Sequence, residues 1–241
     1  SGLVLKGAFF VLLRLWLEVF PGEAALLYDP LCWLGAAAVL WGSLQAIFEA
    51  RIKLLIAYST VAQIGYLFLA LPLATDAGIW SAILLLAAAH ALAKSALFLA
   101  AGNLVSLGHG DRLDQLGPAQ RSLPVTSAAL GIAGMSIMGL PPTGGFAAKW
   151  LLIESAIAQQ RWFIAGVLLL GGLLSAIYVF RLVEQVFVRP DRPSEIAHLP
   201  APRELSALAL ALLALALGLG TLPWLELVSA GGALDAAGTG P

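Results

Sequence analysis

Seven stretches of this sequence stay apolar for the length of a membrane crossing, and no other property limits the fold so sharply. They cover residues 2–20, 31–48, 52–73, 78–106, 124–158, 162–188 and 205–228. About 20 mostly apolar residues in a helix bridge the hydrocarbon layer of a bilayer. A backbone facing lipid must pair its polar groups internally, which leaves helices or a closed barrel. The period-two alternation of barrel strands is absent, and the run LLLAAAHALAKSALFLAAG at 84–102 suits only a helix. The expected fold is therefore an all-α membrane protein of about seven helices.

Composition closes off the alternatives. Hydrophobic residues make up 60% of the 241 and charged residues 11%, whereas a soluble domain carries roughly a quarter charged. Lipid must be the main solvent. A net charge of −1 offers nucleic acid no basic face. Cys32 is the lone cysteine, so it forms neither an internal disulfide nor a cysteine cluster and reads as a small core hydrophobe. There is no phosphate-binding glycine loop, metal-ligand cluster or nucleophile triad, and no cofactor is expected in this chain. Gly-His-Gly at 108–110 lies in a loop and carries no chemistry alone. No basic leader with a cleavage site opens the chain, and residue 1 reads as an internal position with sequence upstream.

The fifth stretch is interrupted. Pro141, Pro142, Thr143, Gly144 and Gly145 cannot continue a helix, because proline lacks the donor and glycine costs helix stability. The halves are expected at 124–140 and 146–158. Loop charge decides between one broken crossing and two. With one, Arg51, Lys53, Arg112, Arg121, Arg189, Arg192 and Arg203 share a side and Arg161 stands alone opposite. With two, the division is five against three. The first division is far more decisive, so a single broken crossing is expected, with the 49–51 loop and the N-terminal end cytoplasmic. Trp16, Trp33, Trp80, Trp162 and Trp224 fall near span ends, where indole prefers the interface. Trp41 and Trp150 lie deeper and are expected to pack between helices.

Lys6, His90, Lys94 and Lys149 are hard to explain as lipid-facing. A lysine at mid-membrane costs about 2.5–3.5 kcal/mol, and such groups normally face the bundle interior and line an ion path. His90 and Lys94, four residues apart, share a helix face, roughly 18–24 Å along their helix at 1.5 Å per residue. That is too deep for snorkelling. A proton relay is the expected role, since histidine titrates near neutrality and a desolvated lysine can be drawn toward it. Lys149 follows the break, and breaks at depth are tolerated only beside protein or a cavity. Lys6, near the start of its helix, is open to a snorkelling reading. Glu154 lies about 140° around the helix from Lys149 and is a poor direct partner. Ser59, Thr60 and Gln63 can hydrogen-bond across helices or hold water. Arg14 with Glu18, and Arg181 with Glu184, read as structural charge pairs.

Four motifs, in this order and spacing, resemble one family. They are LVLKGAFFVLLRLW (3–16), RIKLLIAYSTVAQIGYLFLAL (51–71), HALAKSALFLAAGN (90–103) and GLPPTGGFAAKWLL (139–152). The chain resembles the antiporter-like membrane subunits of respiratory complex I, Mrp-type Na+/H+ antiporters and membrane-bound hydrogenases. That resemblance implies about fourteen helices in two inverted five-helix repeats, of which this chain matches the second half. Residues 1–20 would close a first repeat that is missing. Residues 29–188 would form the second repeat, 189–204 a polar cytoplasmic loop, 205–228 the final helix and 229–241 a flexible tail. It further implies that Lys6 links two half-channels, that His90 and Lys94 form the second relay, and that Lys149 ends it. The chain departs from the family pattern around Lys53, with Arg51 where the family often has an acidic residue and Leu54 where it often has arginine, and Lys53 reads as an interfacial anchor. The implied function is a proton-translocating subunit of a larger complex in the bacterial inner membrane. Its partners would be lipid, the other membrane subunits and the missing N-terminal half, and protons would enter from the cytoplasm. A Na+/H+ antiporter subunit without redox coupling and a helical scaffold are the rival readings.

Overall fold

A computed structural model of the protein describes residues 4–19, 24–74, 77–106, 110–116, 123–187 and 199–230; the side chains of 13–19, 24–27, 77 and 229–230 lie outside the described set. Nine helices cover most of them. They are α1 (Val4–Val19), α2 (Ala24–Phe48), α3 (Ile52–Ala70), α4 (Ala77–Ser106), α5 (Pro124–Met138), α6 (Gly144–Ala158), α7 (Trp162–Phe187), α8 (Ala201–Leu219) and α9 (Thr221–Ala230). Single 3-10 turns occupy Leu71–Leu73 and Leu113–Gln115. Among the described residues, five helices are long and apolar enough to cross a membrane: Tyr28–Phe48, Ile52–Leu73, Gly78–Ser106, Trp162–Phe187 and Ala201–Leu219.

The surface is that of a protein solvated by lipid. Leucine, phenylalanine and tryptophan side chains stand exposed on α1, α2, α7 and α8, while serine, threonine, glutamine, histidine and lysine lie buried inside. Trp41 and Trp150 belong to the exterior, 63% and 57% exposed. This corrects the expectation that they pack between helices: an indole on an apolar outer face needs no helical partner when lipid covers it. Trp150 stacks on Phe146 with ring centroids 6.1 Å apart.

Helices α2 and α3 run back along each other in close contact. The cause is a set of glycines, since small residues let helix backbones approach in membranes. A Cβ at Gly65 would lie 2.6 Å from the Gly35 carbonyl oxygen and 2.7 Å from the Val39 nitrogen; one at Gly42 would lie 2.6 Å from the Ala62 nitrogen.

The interior divides into two apolar layers. One joins Ile52, Leu55 and Ile56 of α3 to Ala93–Leu104 of α4, Ala129–Met138 of α5, Tyr178–Val186 of α7 and the alanines of α8. The other joins Tyr66–Ala70 of α3 to Ile79–Leu86 of α4, Ala148–Ala156 of α6 and Ile164–Leu168 of α7. Four helices change layer at a polar residue: α2 at Ser43, α3 at Ser59, Thr60 and Gln63, α4 at His90 and α7 at Ser175, all buried. A polar band thus crosses the bundle between two apolar seals.

The turn between α5 and α6 lies at the edge of this band. Helix α5 stops at Gly139, whose φ of +84° is open to glycine and strained for other residues. Both the Gly139 and Leu140 N–H groups bond the Met135 carbonyl, each at 3.0 Å. Thr143 starts α6: its hydroxyl donates to the Leu140 carbonyl at 2.6 Å and accepts from the Phe146 N–H at 3.3 Å. The interruption therefore spans 139–143 rather than 141–145. Gly144 and Gly145 form the first helical turn of α6, because a capped N-terminus can start directly after the prolines. A Cβ at Gly145 would collide with the Ser136 carbonyl. Thr143→Ala is expected to cost about 1 kcal/mol, read as a lower unfolding temperature in detergent.

Two further expectations change. The stretch at 205–228 is two helices, α8 and α9, separated at Gly220. Pro223 sits in the first turn of α9, where its missing N–H would be unpaired anyway. Arg181 does not pair with Glu184: its Nη1 donates to the Ile47 carbonyl and, at 3.1 Å, to the Glu49 carbonyl. It thereby closes the C-terminus of α2, where carbonyls lack intrahelical partners. Arg181→Leu is expected to lower stability by about 1–3 kcal/mol, measured by thermal unfolding. The side chains of Arg14 and Glu18, the loop residues 188–198 and the tail 231–241 lie outside the described residues.

Candidate functional site

Lys94 and Lys149 reach the polar band from two different helices, 0% and 6% exposed. Lys94 projects from α4 onto α3, where its Nζ donates to Ser59 Oγ at 2.9 Å. Ser59 in turn donates to the Ile56 carbonyl at 3.0 Å. The ammonium also stands 5.3 Å from the centroid of the Phe98 ring, within cation–π range.

Lys149 turns back from α6 onto the end of α5. Its Nζ donates to the Ile137 carbonyl at 2.9 Å and the Met138 carbonyl at 3.3 Å. Those carbonyls are open because α5 stops there. The Ile137 carbonyl also accepts from Gln63 Nε2 at 3.2 Å, while Ser175 Oγ lies 3.4 Å from the Met138 carbonyl and has its one hydrogen closer to the Gly172 carbonyl, at 2.7 Å. The Tyr66 ring lies beneath the ammonium at 4.6 Å. Among the described residues, neither lysine meets a carboxylate; both are held by neutral oxygens and aromatic faces.

His90 lies on α4 one turn before Lys94, at 5% exposure. Among the described residues neither ring nitrogen has a hydrogen-bond partner, so it forms no pair with Lys94 despite the four-residue spacing. It lies in the electrostatic field of Lys6, Lys94 and Lys149 together. Lys6 on α1 is half-buried and also acts on Lys94.

Of the accessory candidates, Ser59 and Gln63 bond across helices as described, whereas the buried Thr60 hydroxyl has no hydrogen-bond partner. Glu154 stands apart. It is exposed and lines a separate cavity of about 400 Å³ with Gly78, Ser155, Gln159 and Leu225. Lys53 is exposed beside the 49–51 loop. No cluster of three His, Cys, Asp or Glu side chains occurs among the described residues.

Sequence reasoning overlooked two tyrosines. Tyr66 and Tyr178 are buried, and their hydroxyls make no hydrogen bond of normal geometry. A signal was available: each lies within an apolar span, and tyrosine ordinarily seeks the interface.

The architecture and sequence have clear relatives. NADH-quinone oxidoreductase subunit N of Desulforudis audaxviator is 37% identical over 173 residues, which are 70% of this chain and 34% of that protein. A chain of the Mrp complex from Dietzia sp. DQ12-45-1b superposes with a TM-score of 0.83 at 25% identity, covering 94% of this chain and 50% of that one. A chain of respiratory complex I from Thermus thermophilus superposes at 0.64 with 28% identity, covering 82% and 45%. The chain thus spans half or less of the length of these relatives. The model of the family described as "NADH:quinone oxidoreductase/Mrp antiporter, TM" matches residues 1–175. By that match and by its apolar helices, this chain is an integral membrane protein belonging to the NADH:quinone oxidoreductase/Mrp antiporter transmembrane family.

Proposed function

We propose that this chain is the second half of a proton-translocating, antiporter-like subunit of a multisubunit membrane complex. One observation carries the reading. Two lysines stand in a polar band between two apolar seals, each held, among the described residues, by neutral groups alone. A lysine held by neutral oxygens and aromatic faces, and not locked to a carboxylate, can exchange its proton with water or a neighbour without breaking an ion pair, and buried lysines of this kind line ion paths. Lys6, His90, Lys94 and Lys149 then act as successive proton sites, joined by side chains and water, and charge on one alters the affinity of the next. In this reading α5 and α6 are the halves of one broken crossing, and the helices make seven crossings in all. The 49–51 loop faces the cytoplasm of a bacterial cell and the chain lies in its inner membrane. Its partners are the other membrane subunits and the first half of the same subunit, and it holds no cofactor of its own.

The test is Lys94→Ala in the assembled complex in sealed vesicles. Proton translocation is expected to fall by about tenfold or more, the kinetic equivalent of losing one charge-assisted contact. Unchanged translocation by the variant would remove the relay. Sodium-dependent proton exchange without any electron donor would favour a redox-independent antiporter instead.

A further inference from the structure

We infer that Glu204 on α8 is a positioning residue for the Lys149 site, because α8 holds α5 at both ends and so fixes where the Ile137 and Met138 carbonyls stand. This rests on the proton-translocating reading above. Helix α5 starts without a cap of its own: Leu123 precedes it and has no side-chain oxygen to offer the open N–H groups of the first turn. Glu204, 78 residues from Thr126 along the chain, supplies the cap. Its Oε2 accepts from the Thr126 N–H and from the Thr126 hydroxyl, both at 3.1 Å. Asn103 of α4 ties the junction together. Its Nδ2 donates to Thr126 Oγ1 at 3.2 Å and to the Arg203 carbonyl of α8 at 3.3 Å. Thr126 and Asn103 are both buried.

The other end of α8 meets the turn that ends α5. A Cβ at Gly218 would lie 2.0 Å from the Pro142 carbonyl oxygen and 2.7 Å from the Gly144 nitrogen; one at Gly144 would lie 2.9 Å from the Leu217 Cβ. Backbone rests on backbone at this point. Between the two ends α8 buries Ala207, Ala211 and Ala214 on one face, while Leu205, Leu212 and Leu213 stand exposed. Alanines let helices approach closely, but they project too little to stop one helix sliding along another. The register is therefore set by the end contacts. At 1.5 Å per residue, Glu204 to Gly218 is roughly 21 Å and Thr126 to Met138 roughly 18 Å, so α8 brackets α5 together with its turn. Lys149 donates to the Ile137 and Met138 carbonyls in the last turn of α5. A shift of α5 along its axis moves those oxygens relative to α6, which carries the lysine. Along α4, the buried apolar residues Leu97, Ala100 and Ala101 separate Asn103 from Lys94, so Glu204 acts through α5 and not by handing a proton inward.

The test uses the full-length subunit in the assembled complex in sealed vesicles, with the rate taken per assembled complex. Glu204→Leu removes the acceptor and is expected to slow proton translocation about tenfold, the equivalent of one charged hydrogen bond at 1.4 kcal/mol per decade. Glu204→Gln keeps an oxygen that can accept both Thr126 bonds and is expected to stay within about twofold of the original rate. Gly218→Ala drives a methyl into the Pro142 carbonyl at the opposite end and is expected to slow translocation by a factor similar to that of Glu204→Leu. A clamp that served stability alone would lower the unfolding temperature and leave these rates unchanged, so a full rate in Glu204→Leu or in Gly218→Ala overturns the inference. Glu204→Gln as slow as Glu204→Leu overturns it too, because the carboxylate would then act by its charge. Should Glu204→Leu fail to assemble, Thr126→Val keeps the side-chain shape and removes the hydroxyl bond. It must slow translocation about threefold, and a full rate there overturns the inference equally. The two proposals fail differently. An active Lys94→Ala sinks both, whereas an inactive Lys94→Ala beside a full-rate Glu204→Leu sinks this one alone.

Discussion

Replacing Lys149 with methionine is expected to abolish proton translocation while leaving the folded protein as stable as before, or more so. The two effects separate because of how the ammonium is held. Of its two acceptors, the Ile137 carbonyl keeps Gln63 as a donor, and the Met138 carbonyl, 3.4 Å from a Ser175 hydroxyl that serves Gly172 at 2.7 Å, is the one buried oxygen the substitution leaves weakly paired. Methionine fills nearly the same volume against the Tyr66 ring, and a thioether rests well on an aromatic face. Taking a charge without a carboxylate partner out of a low-dielectric interior removes a desolvation cost of several kcal/mol. A lysine kept for structure would behave the opposite way, with lower stability and unaltered transport. Thermal unfolding in detergent and vesicle proton uptake on one preparation decide the matter. Transport within about twofold of the original would exclude Lys149 from the path, a factor corresponding to only about 0.4 kcal/mol.

Gly65→Leu is expected to be the most damaging single substitution for the fold. The side chain would start 2.6 Å from the Gly35 carbonyl and 2.9 Å from the Val39 side chain. The first obstacle is helix backbone, which cannot change rotamer. Overpacking of a well-filled core costs about 1–3 kcal/mol and occasionally more, and backbone contact puts this site at the upper end. Separating α2 from α3 would also displace Ser59, which holds Lys94, and Gln63, which shares the Ile137 carbonyl with Lys149. Loss of both unfolding temperature and transport is the expected result. A stable Gly65→Leu protein with intact transport would show that the α2–α3 contact yields more easily than its geometry implies.

Much of this molecule is legible in its sequence because the solvent is legible. Lipid demands apolar runs of fixed length, so the spans at 52–73, 78–106 and 162–188 fall close to α3, α4 and α7. Pro141 and Pro142 announce an interruption wherever they sit, and Lys94 and Lys149 announce themselves by the cost of burying an ammonium. The remainder was not legible from local rules. Apolar runs do not distinguish lipid from protein as the covering of an indole, so Trp41 and Trp150 were misplaced. Arg181 found the end of a distant helix in place of its neighbour Glu184, because open carbonyls at a helix end attract a guanidinium as a carboxylate does.

Sequence alone determined that this chain folds in a membrane, as helices, with charged groups too costly to face lipid. Each of those follows from one-dimensional quantities: run length, charge and the missing donor of proline. Only the tertiary structure decided what the buried lysines touch. Ser59 is 35 residues from Lys94 along the chain and Ile137 is 12 from Lys149, and nothing local relates them. The polar band arises because α2, α3, α4 and α7 each change apolar layer at the same depth. That depth is set by the close glycine contacts between α2 and α3 and by the turn that ends α5, which are properties of packing and of no single segment.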